Sequence, residues 1–190
     1  WDDVTSKRLG RWTVHFPGSP RLVSAASVVG PKEGEGPLHS YFDAIELDPM
    51  RGEMCPEAAE RRFMEDACSR AIQQLALTSE DIDIFLGGDL LNQVITAGFT
   101  ARSLQIPFIG LYSACATFGA ALALAATLVD SDWVTTALVA ASSHYQTAER
   151  QFRYPIELNV QRKPTNQWTV TGAGAAVIAK QGQGPKVTHA

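Results

Sequence analysis

An α/β fold built on a largely parallel sheet is predicted for this chain by three features of its sequence. Short apolar runs bounded by Gly and Pro recur along it and alternate with helical periodicity, the pattern of a sheet covered by helices on both faces. One run, 106–111, leads through a polar turn into a long helix of small residues, with Cys115 at the junction. After Cys115, residues such as Phe118, Ala121, Leu122, Leu124, Ala125, Leu128 and Val129 are apolar on nearly every face, so this helix is expected to be buried at the centre of the domain.

Five strands are expected. The first, 22–29, lies between Pro20 and Gly30-Pro31, and the glycine, proline and charge of 30–43 then read as a loop. A helix opens at Pro56, with proline in its first position and Glu57 and Glu60 in its first turn, as the macrodipole favours. Its apolar side is Phe63, Met64, Ala67, Cys68, Ala71, Ile72 and Leu75, spaced at three and four, so Cys68 reads as core. A turn at 78–81 precedes the second strand, 82–86, closed by Gly87-Gly88. A helical stretch over 89–104 follows, then the third strand, 106–111, the fourth, 135–141, and a glycine-interrupted fifth, 168–180. The carboxyl ends of these strands, where such sheets bind ligands, carry Gly87-Gly88-Asp89, Ser113-Ala114-Cys115 and Ser142-Ser143-His144.

Composition excludes several functions. The 190 residues are 45% hydrophobic and 19% charged, enough for one well-buried core. A net charge of −4 without a polybasic run speaks against nucleic acid as a partner. Three cysteines, Cys55, Cys68 and Cys115, are an odd number without C-x-x-C spacing, so no disulfide framework, structural zinc or other cofactor is expected. The uncharged run 106–129 is long enough to span a bilayer, but Pro107 and Gly110 interrupt it and alanine dominates the rest, so a strand followed by a buried helix is preferred. Residues 1–12 mix both charges and show no apolar core, so no signal peptide is expected.

Cys115 is the candidate for chemistry. Free N–H groups and the positive dipole end at a helix N-terminus bias a thiol toward thiolate, the form that attacks carbonyls. An ordinary buried cysteine is the alternative at this position. His144, at the end of the fourth strand, is open to a structural or a ligand role.

Two segments carry a resemblance. SACATFGAAL is similar to the nucleophile segment of the thiolase and ketoacyl-synthase enzymes, and TGAGAAVIA to the strand that follows their catalytic loop. GPKEGEGPL, RRFMEDA, EDIDIFLGGDLLNQ and SSHYQTAERQFRYP are similar to one branch, the stage V sporulation protein AD family of spore-forming bacteria, over roughly 12–180. The resemblance implies a thiolase-like fold in which 1–190 forms a single N-terminal half-domain, the family's second half being absent from these residues. It implies binding of dipicolinic acid and aid to its transport into or out of the spore, without catalysis. The alternative is an acyltransferase or condensing enzyme using Cys115 on an acyl thioester, whose histidines come from the second half in related enzymes. A third option is a scaffolding subunit. The implied setting is intracellular and peripheral to the inner spore membrane, beside other spore membrane proteins, in a homodimer formed through 106–111.

Dipicolinate has two carboxylates flanking a ring nitrogen, so its receptor needs forked donors and an apolar slot. Arg150 and Arg153, three apart, could reach one anion from the same side of a helical turn, or be solvated or ion-paired. Asp89 and Asn92 could touch the ligand or cap the helix that follows them.

Overall fold

A computed structural model describes residues 7–152, 163 and 165–190. Short strands β1 (Arg8–Leu9) and β2 (Thr13–Val14) form an antiparallel hairpin apart from the main sheet. The main sheet comprises β3 (Arg21–Val29), β4 (Ala44–Ile45), β5 (Ile84–Asp89), β6 (Phe108–Gly110), β7 (Thr136–Ser143) and β8 (Gly172–Ala179), in the spatial order β4-β3-β8-β7-β5-β6. Among the described strands of this sheet only β8 runs against its neighbours, β3 and β7; the remaining pairings are parallel. All five expected strands are present, and the sheet gains β4 at one edge.

Among the described residues five helices accompany the sheet: α1 (Pro31–Gly34), α2 (Pro56–Gln73), α3 (Ile95–Leu104), α4 (Thr117–Asp130) and α5 (Tyr145–Phe152). Successive residues of a strand face opposite sides, and β5 shows the result. Phe85 joins a core with Phe63, Met64 and Cys68 of α2, whereas Leu86 joins a second core with Ala121, Ala125 and Val129 of α4. The central strands β7 and β8 are rich in buried alanine, at Ala137, Ala140, Ala175 and Ala176, and this lets helices pack closely on both faces. Burying a side chain such as Phe63 or Leu86 contributes about 1.5–3 kcal/mol each.

Three sequence expectations need correction. The segment 30–43 is not all loop: Pro31 starts α1, and a 3-10 turn follows at His39–Tyr41. The helix expected over 89–104 begins only at Ile95, because Asp89 still pairs within the sheet and Val94 adopts a left-handed conformation with φ 54°. The last strand starts at Gly172, leaving Trp168 and Val170 to the approach segment. On α4, the sheet covers Ala121, Ala125, Ala126 and Val129, while Gly119, Ala120 and Thr127 face outward in this chain. No helix among the described residues is long and apolar enough to cross a membrane.

Candidate functional site

The end of β5, the turn from β6 into α4 and the end of β7 meet at the carboxyl edge of the sheet. Asp89 closes β5 and is 1% exposed. Its Oδ2 accepts the N–H of Ala97 at 2.9 Å, so it caps the first turn of α3 from a distance, where Val94 offers no side-chain cap. Burial raises the Asp89 carboxyl above its ordinary range, with the N–H groups of Ala97, Thr96 and Leu91 pulling the other way. Its Oδ1 has no hydrogen-bond partner among the described residues.

The turn before α4 is tied down on both sides. Leu111 N–H donates to the Gly87 carbonyl at 2.8 Å, holding the turn against β5. Thr117 Oγ1 accepts from Ser113 N–H at 3.1 Å and donates to the Ala114 carbonyl at 2.8 Å. These bonds hold Ala114 at φ 47°, a left-handed conformation that costs a non-glycine residue about 1–2 kcal/mol. The outcome is a 3-10 turn at Ala114–Ala116 that leaves Cys115 exposed. The core reading therefore fails for Cys115 and holds for Cys68, which is fully buried and whose thiol burial pushes up. With iodoacetamide at neutral pH, Cys115 is expected to react first and Cys68 at least ~10-fold more slowly. Peptide mass mapping checks this; labelling of Cys68 ahead of Cys115 would contradict the geometry.

A pocket of about 530 Å³ opens here, lined by Phe42, Asp89, Cys115, Phe118, Ser142, Ser143 and Trp168 among others. Trp168 is braced: the Tyr145 ring stacks on it at 5.2 Å, and Lys32 Nζ lies 4.6 Å from its centroid. The serine hydroxyls are committed elsewhere, Ser142 Oγ to Glu60 Oε1 at 2.8 Å and Ser143 Oγ to the Val170 carbonyl at 2.5 Å. The lining is thus mostly apolar, with Phe42, Phe118 and Trp168 beside the Asp89 carboxyl and the exposed Cys115 sulfur.

Of the residues singled out from sequence, Asp89 and Cys115 are brought together in this pocket, and three others are placed outside its lining. Asn92 is exposed, and its N–H donates to Gln151 Oε1 at 3.4 Å; the cap is made by Asp89 alone. His144 is fully buried, with Nε2 3.1 Å from the Pro49 carbonyl and Nδ1 accepting the Gln146 N–H at 3.3 Å. That pairing fixes a neutral ring, and burial lowers its pKa further. Arg150 forms an ion pair with Glu57. Arg153 lies outside the described residues. Sequence reasoning missed Glu60, Thr117, Trp168 and Lys32, and only the hydroxyl two residues after Cys115 offered a local signal.

Comparison with known proteins agrees with this architecture. The family model for Stage V sporulation protein AD (SpoVAD) matches residues 10–190. The chain belongs to the SpoVAD family. Stage V sporulation protein AD of Bacillus subtilis (strain 168) is 45% identical over 184 residues, covering 97% of this chain and 54% of the relative. The chain thus spans about half the length of that family member. Among solved structures, 3-oxoacyl-(acyl-carrier-protein) synthase III from Aquifex aeolicus VF5 superposes with a TM-score of 0.59 at 15% identity, over 86% of this chain and 55% of the other. A variant of OleA from Xanthomonas campestris gives 0.59 at 15% identity, over 87% and 57%. These likenesses show a thiolase-like fold for this SpoVAD-family chain.

Proposed function

We propose that this chain supplies part of a binding site for dipicolinic acid, pyridine-2,6-dicarboxylate, in a SpoVAD-family protein that aids movement of this dianion into or out of the spore. The protein acts as a binder rather than a catalyst, peripheral to the inner spore membrane and beside other spore membrane proteins. Trp168 is the observation that supports this reading best. Its indole lines the pocket and offers a pyridine an aromatic contact, and Lys32, packed on the same ring outside the pocket lining, is the candidate cation for a carboxylate. The N-terminal end of α4 adds positive potential beside Cys115. A homodimer paired along β6, the edge strand next to β5, is the assembly that goes with it.

Calorimetric titration of the full-length protein with dipicolinate is expected to show saturable binding that weakens with added salt, since charges in an open site are screened. Trp168→Ala is expected to weaken it by about tenfold. No saturable binding at low salt would overturn the reading.

One observation favours a second reading, acyl transfer on Cys115: the sulfur is exposed in the pocket on a turn held by a left-handed Ala114. A stoichiometric adduct from acyl-CoA, seen by intact mass and lost in Cys115→Ser, would establish it. The binding reading expects no adduct and unchanged dipicolinate affinity in that variant.

A further inference from the structure

Behind the pocket wall, Glu60 of α2 is fully buried and meets two hydroxyls. Ser142 Oγ donates to Glu60 Oε1 at 2.8 Å, and Thr147 Oγ1 lies 3.3 Å from Glu60 Oε2 and 2.9 Å from the His144 carbonyl oxygen. A hydroxyl has one proton to donate. The His144 carbonyl takes it at the shorter distance, so Thr147 is left to serve Glu60 as an acceptor. The network closes only when Glu60 is protonated: Oε2–H donates to Thr147 Oγ1, Thr147 donates to the His144 carbonyl, and Ser142 donates to Oε1.

The surrounding charges favour the same state. Asp89 faces Glu60 from β5, and Glu57 faces it from its own helix. Arg150 of α5 is engaged by Glu57, and the His144 ring at the end of β7 is neutral. Among the described residues no cation pairs with Glu60, and burial, the largest influence, pushes its carboxyl up to about 7.

Ser142 belongs to both the network and the pocket. It pairs in register with Asp89, its carbonyl accepts the Leu90 N–H at 3.1 Å, and it lines the pocket with Cys115. We propose that Glu60 is a protonated positioning residue that links occupancy of the Cys115 pocket to one proton. In its neutral form it ties Ser142 and Thr147, hence the end of β7 and the start of α5, to α2. Ionisation draws the Thr147 proton away from the His144 carbonyl and places a buried negative charge behind the wall that an anion must approach. The link to an anion rests on the dicarboxylate reading above.

Titration of the full-length protein with dipicolinate, repeated near pH 7 in buffers of different ionisation enthalpy, counts the protons exchanged. The wild type is expected to take up protons on binding. Glu60→Gln, whose amide can accept from Ser142 and donate to Thr147, is expected to bind without uptake and to lose the fall in affinity between about pH 6 and 8. Equal uptake in both proteins, or none in the wild type, overturns the proton link and leaves the binding reading standing. No saturable binding in either protein overturns the dicarboxylate reading instead, and the link to the pocket is then decided at Cys115. The ratio of its alkylation rates in wild type and Glu60→Gln is expected to change across the same pH range, and a constant ratio overturns it.

Discussion

Gly88→Ala is expected to destabilise the full-length protein by about 3 kcal/mol or more, an effect at the upper end of those seen for a single added methyl group. A Cβ at Gly88 would overlap the carbonyl oxygen of Leu111 and sit 3.1 Å from Thr117 Cγ2. The obstacle is backbone on one side and the buried Thr117 that ties the cysteine turn on the other, so no flexible side chain can swing away. Relief requires β5 and the turn after β6 to separate, which strains the bond from Leu111 N–H to Gly87 and shifts Cys115 with it. Cys115 alkylation is therefore expected to change along with stability, as is dipicolinate affinity if the proposed binding reading holds. Gly98→Ala is the control: it lies within α3 with open space around its Cβ and is expected to be neutral or stabilising by up to about 1 kcal/mol. Urea unfolding of the two variants checks the pair. Equal stabilities would show that the close approach of β5 to the turn is not what Gly88 serves.

The parts of this architecture that depend on neighbours in sequence were readable from it. The five principal strands and the Cys115 junction followed from apolar runs, glycine and proline boundaries and the start of a small-residue helix. Cys68 was readable as core from its spacing on α2, and the structure buries it completely. What could not be read depends on partners far along the chain. Glu60 read only as a first-turn acid favoured by the helix dipole, and nothing near it announces Ser142 and Thr147, 82 and 87 residues away. His144 was placed correctly at a strand end, but its ring is committed to Pro49, 95 residues earlier, so a position suited to chemistry holds a structural side chain. The expected run of helix from Asp89 failed because strand pairing with β7 continues to that residue, and tertiary pairing outweighs local helical pattern. Trp168 was taken as part of a strand, although its place against Tyr145 and Lys32 makes it a pocket wall.

Raising the pH is expected to erode the stability of the wild type relative to Glu60→Gln, by about 3 kcal/mol in all. Burial pushes the Glu60 carboxyl from 4.5 up to about 7. Below about pH 4.5 folded and unfolded chains both hold this proton, and the contribution of the neutral acid is fully present. Between 4.5 and about 7 the unfolded chain releases the proton and the folded chain keeps it, so stability falls as pH rises. Above about 7 the folded chain releases it too, and the dependence on this group ends. Other groups titrate over the same range, but they are common to both proteins, so the difference between the two unfolding free energies isolates Glu60. Glu60→Gln keeps an acceptor for Ser142 and a donor for Thr147, which separates the charge from the loss of packing that Glu60→Ala would add. Denaturant unfolding of both proteins across this range is the measurement. A difference that stays flat from about pH 4.5 to 7 would mean that Glu60 is ionised in the fold, and that the hydroxyl chain from Ser142 to His144 is closed in some other way.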